Sequence, residues 1–229
     1  MKNYLKRRIT ILLMTVFALC IGSGVFANDG FMPSWNKGDT WFIEAKYINL
    51  KDGVPSWLPA IKWRFEVKTQ KAVEGEPCWI IHITPESRPD MKVQAILCLA
   101  VSDLRPVKVV DIYPLQGKAR SKVKKFNNSA LSPLFSEDSM IPYDFPMFPL
   151  NATLDEAGSA NVGGEKTSEV DDIVFVENVS QKWESVQGQY QITIQDAGAK
   201  GSITQTWKNG APWAVEMKSQ SVVYSLVQE

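Results

Sequence analysis

Cys78 and Cys98 head the residues whose types and spacing suggest chemistry. They lie on two apolar runs, Cys78–Thr84 and Lys92–Ala100, flanking the turn-rich Pro85-Glu86-Ser87-Arg88-Pro89-Asp90, and the pair reads as an antiparallel hairpin. A register setting Cys78 opposite Cys98 collects Trp79, Ile81 and Ile83 against Leu97, Ala95 and Val93 on one wholly apolar side. A slip of one residue would scramble that separation. Directly opposed residues have Cα atoms about 4.5–5.5 Å apart, inside the bridging range, so a Cys78–Cys98 disulfide is expected. It would be a structural staple, since no C-x-x-C spacing marks a redox centre.

The remaining candidates for catalysis are sparse. His82 is the single histidine, without a G-x-S-x-G motif for a nucleophilic triad or an H-E-x-x-H motif for zinc. A packed or hydrogen-bonded role is expected for it, and neither a metal nor a cofactor. Acidic pairs at Glu137-Asp138, Asp155-Glu156 and Asp171-Asp172 would suit glycoside hydrolysis if the fold set two carboxyl groups roughly 5–9 Å apart. Adjacent acids in loops are far more often solvated surface, and the reading leans away from an enzyme.

Binding chemistry is better represented. Among eight tryptophans, Trp63 and Trp79 fall on apolar strand faces, where core packing is the default. Trp35, Trp57 and Trp213 sit beside turns and prolines and are the candidates for exposed, sugar-stacking surfaces. Lys118, Arg120, Lys122 and Lys124 alternate along one run, so four positive charges share a strand face. They either meet an anion or form a charged edge that discourages aggregation. The segment Leu131–Leu150 carries Pro133, Pro142, Pro146 and Pro149 among Phe135, Tyr143, Phe145, Met147 and Phe148. Four prolines exclude a regular helix or a central strand. The segment reads as a long hydrophobic loop that seals the core or lines a ligand cavity.

The elements that must position these residues are strands. Ile61, Trp63, Phe65 and Val67 alternate with charged residues over Ala60–Thr69, the period of a half-buried strand. Thr40–Ile48, Val107–Tyr113, Ala119–Phe126, Ile173–Val176, Trp183–Val186, Tyr190–Ile194, Ser202–Trp207 and Ala214–Leu226 read likewise, with turns at Leu115-Gln116-Gly117, Gln187-Gly188 and Asn209-Gly210. No apolar stripe of helical period persists for three turns. The fold class is therefore all-β: an antiparallel sheet of about ten short strands, curled as a half-barrel, barrel or sandwich, with the Pro-rich loop added.

The N-terminus bounds the destination. Lys2, Lys6, Arg7 and Arg8 precede an uncharged apolar run, Ile9–Ile21, and Val25-Phe26-Ala27 offers a small-residue cleavage site. Residues 1–27 thus read as a signal peptide, too short in its apolar run to span a bilayer. A lipoprotein cut before Cys20 is disfavoured by the bulky Leu19. Residues 28–229 are expected to be one β-rich exported domain, periplasmic or extracellular, with two halves joined by a loop over 131–167 as the alternative and no transmembrane segment in the mature chain. Without its four basic leader residues the chain carries 21 basic and 25 acidic side chains, a net charge of −4, which gives no footprint for nucleic acid. These observations rank three functions: a non-enzymatic binding or carrier protein for an apolar or amphipathic ligand, then a glycan- or envelope-binding module using exposed tryptophan, then a carboxylate-pair hydrolase. Oligomeric state is not legible.

Overall fold

The computed structural model describes residues 31–49, 54–126, 141, 148, 157–167, 174–196 and 202–227. They form thirteen strands in one antiparallel sheet that does not close on itself. Apart from a 3-10 turn at Pro89–Met91, no helix occurs among the described residues. The strands are β1 (Thr40–Asn49), β2 (Ser56–Trp57), β3 (Ile61–Val73), β4 (Glu76–Pro85), β5 (Gln94–Ala100), β6 (Pro106–Leu115) and β7 (Lys118–Lys125), followed by β8 (Gly158–Thr167), β9 (Val174–Val186), β10 (Gln189–Asp196), β11 (Ser202–Lys208), β12 (Glu216–Lys218) and β13 (Val222–Leu226). Their spatial order is β7-β6-β5-β4-β3-β1-β13-β12-β11-β10-β9-β8, with the short β2 alongside β1. Two meanders meet where β13 returns to pair with β1, from Ile43↔Leu226 to Tyr47↔Val222.

The hairpin turns follow from local backbone chemistry. Glu74-Gly75, Gln116-Gly117 and Gln187-Gly188 all have positive φ at both residues. That is the type I′ geometry, whose twist matches the strands it joins. Asn209-Gly210 turns the chain but makes no tight hairpin. Seven residues separate β11 from β12, because Trp213 and Ala214 drop from this connection into the core.

Alternation puts one face of the sheet into the core. Trp41, Ile43 and Ala45 of β1 lie opposite Phe65, Trp63 and Ile61 of β3. The apolar layer continues through Ile81, Leu97 and Val109 on one side and through Tyr224, Met217, Trp207, Tyr190, Ile192 and Ile194 on the other. A bulge between Val67 and Thr69 shifts β3 against β4, so the predicted alternation of β3 stops at Val67. The Gly- and Ala-rich stretch at 157–167, expected to be loop, is instead the edge strand β8, and Val174–Val186 is one strand rather than two. The expected single run Ala214–Leu226 divides into β12 and β13 around a turn at Ser219.

Gly158 explains why so weak a strand-former belongs in β8. It pairs with Trp183, and a Cβ there would come within 2.5 Å of the indole ring. The ring lies over the glycine, so the residue with the poorest strand propensity is the one the packing needs. Gly158→Val is expected to destabilise the fold by about 1–3 kcal/mol, despite valine's better propensity, through overpacking. Urea unfolding of the two proteins checks it.

Candidate functional site

The inner face is floored by stacked aromatic rings where the two meanders meet. Trp35, just before β1, lies 5.6 Å from Trp41 and 5.9 Å from Trp213 between ring centroids, both stacked. Trp213 also stacks on Trp41 at 5.6 Å and touches Phe65 at 5.4 Å and Trp207 at 6.0 Å. The Trp35 Nε1–H donates to the Pro212 carbonyl at 2.8 Å, and Trp207 Nε1–H donates to the buried Gln205 Oε1 at 3.1 Å. The indole N–H groups of Trp41, Trp63 and Trp213 are buried and have no hydrogen-bond partner among the described residues. Each such unmatched donor costs roughly 1–3 kcal/mol, so three in one floor call for an explanation.

Two residues of the Pro-rich segment fall among the described residues, and both cover this floor. Phe148 packs 4.7 Å from Trp207 and 6.3 Å from Tyr190, and Ile141 is buried in the same cluster. Phe135, Tyr143, Phe145 and Met147 lie outside the described residues.

The three tryptophans expected at the surface separate. Trp57 is 50% exposed, but Trp35 and Trp213 are 3% and 0% exposed and belong to the core. Their neighbouring prolines and turns mark places where the chain folds an aromatic side chain back over the sheet. Trp63 is core as expected, and Trp79 packs edge-on against Trp35 at 5.9 Å.

Lys118, Arg120, Lys122 and Lys124 do share a face, and it is the one that carries the core. Lys124 is paired with Val109, Lys122 with Asp111, Arg120 with Tyr113 and Lys118 with Leu115. Lys124 reaches Asp111 at 3.5 Å, while Lys118, Arg120 and Lys122 are exposed and make no ion pair among the described residues. β7 is an edge of the sheet, so these charges also guard an open strand.

The expected disulfide is absent: Cys78 and Cys98 are free, buried thiols. The observed register pairs Cys78 with Ala100 and Ile80 with Cys98, two residues away from the expectation. Lys92 adopts a left-handed conformation at φ +54 after the Pro89–Met91 turn, which keeps Lys92 and Val93 out of the ladder. A slip of two keeps every side chain on its predicted face, which is why alternation did not reveal it. Diagonal neighbours have Cα atoms roughly 7–8 Å apart, beyond ordinary disulfide reach. The thiols instead join Ala100 and Val107 in a small cluster on the outer face, flanked by Val73, Ile80 and Ile96.

His82, on that outer face, shares a 2.9 Å hydrogen bond with Gln94 Oε1, the structural role expected of it. The three acidic pairs lie outside the described residues, among which no group of three or more His, Cys, Asp or Glu is placed to hold a metal. Two residues that sequence reasoning passed over are Gln181 and Gln205, both buried on the inner face. Their signal was faint: glutamine at positions whose alternation partners are tryptophan and isoleucine.

No protein-family model matches the chain, and no curated protein matches it. Among solved structures, a Parabacteroides distasonis protein described as a "putative lipoprotein" aligns over 86% of this chain and 96% of its own, with 9% identity and a TM-score of 0.22. That likeness is too distant to assign a function. No helix among the described residues is long and apolar enough to cross a membrane.

Burial, followed by the neighbouring Cys98, pushes the Cys78 thiol up to about 11, and burial raises Cys98 as well. The folded protein therefore holds protons that the unfolded chain releases from about pH 9 upward. Stability is expected to be unaffected by these thiols below that range and to fall as the pH climbs toward 11. Without reductant, iodoacetamide should label both cysteines only after denaturation, and peptide mass spectrometry checks this. A Cys78–Cys98 cross-linked peptide would contradict the observed register.

Proposed function

We propose that this chain is an exported, non-enzymatic carrier that holds an amphipathic ligand between the inner face of the sheet and the Pro-rich segment. The observation that carries the reading is the set of buried indole donors at Trp41, Trp63 and Trp213, unmatched among the described residues in a floor built mainly of apolar and aromatic side chains. A ligand with an apolar body and acceptor oxygens suits such a floor better than a pure hydrocarbon does. Phe148 and Ile141 support the second half of the reading, since these two residues of the Pro-rich segment are buried against that floor. Export rests on the N-terminal leader pattern. The glycan-binding alternative is left with Trp57 as the one exposed member of its three tryptophans.

The long-chain fluorescent acid cis-parinarate tests the proposal. Saturable fluorescence enhancement is expected with the folded chain. Trp41→Phe keeps the ring and removes the donor, and is expected to weaken binding roughly tenfold. Phe148→Ser should weaken it further, whereas Trp57→Ser should leave it unchanged. A folded wild-type chain without saturable enhancement, or a folded Trp41→Phe protein binding as tightly as wild type, contradicts the proposal.

A further inference from the structure

Strand polarity brings separated pieces of sequence to one end of the sheet. β1 finishes at Asn49 and β3 starts at Ile61, so the arm bearing β2 stands at the end where β6 finishes at Leu115 and β7 starts at Lys118. Seven large hydrophobic side chains are exposed among the described residues. Five of them, Val54, Trp57, Leu58, Tyr113 and Leu115, lie at this end. The other two, Val101 and Val186, lie at the opposite end. Val54 is 68% exposed and Trp57 and Leu115 are each 50% exposed, so this end carries most of the exposed large apolar surface found among the described residues.

The same end is cationic. Lys118 and Arg120 open β7, exposed and without ion pairs among the described residues, and Lys122 follows on the same face. Exposed Lys92 lies in the neighbouring loop, where Arg88 and Asp90 neutralise each other and Glu86 stands against the excess. The chain as a whole is balanced, with 25 basic and 25 acidic residues, so this is a local concentration.

We propose that this end of the sheet docks on an anionic lipid surface, with Trp57, Leu58 and Leu115 entering the headgroup boundary and Lys118 and Arg120 held by lipid phosphates. Tryptophan and tyrosine favour that boundary, and each Lys or Arg close to an anionic leaflet adds to the attraction. The arm joining β1 to β3 and the β6–β7 turn are four strand spacings apart, about 19 Å along the sheet. A fluid plane receives tips so separated without shape complementarity, which a protein partner would have to supply. The proposal does not depend on the carrier reading.

Flotation of the full chain, purified without detergent, with vesicles of phosphatidylcholine alone or with added phosphatidylglycerol tests it. The chain is expected to float with the phosphatidylglycerol vesicles and to be released by molar salt, which shortens the screening length to about 3 Å. Lys118→Gln with Arg120→Gln is expected to lower the affinity roughly thirtyfold. Trp57→Ser with Leu58→Ser is expected to lower it at least about tenfold. All these side chains are exposed, so unchanged thermal melts should accompany the losses, and any contribution from the N-terminal apolar run is common to every protein compared. No flotation of the wild-type chain, or flotation unchanged in either double variant, overturns the proposal.

Discussion

An antiparallel sheet left open has an apolar face that nothing in its own hydrogen bonding covers. Here that problem is sharpest where β1 meets β13, because this pairing joins the two meanders. Trp35, Trp41, Phe65, Trp207 and Trp213 meet over the joint, drawn from both meanders, from the residues preceding β1 and from the β11–β12 connection. Backbone pairing holds β1 to β13, and the stack adds a second bond between the halves through side chains. Offset and tilted aromatic pairs contribute beyond the area they bury, and their large rings fill a layer that smaller side chains would leave hollow. Trp213 reaches the stack because the β11–β12 connection is too long for a tight hairpin. The irregularity in the loop is thus what completes the core.

The same stack carries a polar cost. Trp35 and Trp207 satisfy their N–H groups internally, but Trp41, Trp63 and Trp213 have no partner among the described residues. A floor built only for stability would favour phenylalanine at these positions, with no donor to bury. Retaining indole there links the packing to the proposed ligand, since both depend on the same rings. Two residues of the Pro-rich segment join the two as well, for Phe148 and Ile141 are buried against the same floor.

Period-two alternation made most strands, the fold class and the choice of inner face legible in sequence. It could not fix what is invariant under a shift of two. The Cys78 and Cys98 hairpin shows the limit, for every side chain kept its face while the partners changed. Nor could it find β8, whose small residues carry little pattern of their own. Gly158 belongs to the strand through the Trp183 ring across the ladder, a contact between residues distant in sequence. Trp35 and Trp213 misled for the opposite reason, because proline and turn neighbours describe the backbone and not the direction of the side chain. The cationic row on β7 was correctly placed on one face, but only the ladder shows that this is the face of the core.

Native mass spectrometry of the chain, isolated without detergent from the cells that make it, shows whether the aromatic floor and its cover enclose the proposed ligand. The expected spectrum has a discrete additional mass that stays with the folded protein and is lost on denaturation, and whose fragments show an apolar chain with oxygen-bearing head chemistry. A folded protein with only its own mass, isolated under the same gentle conditions, would contradict it.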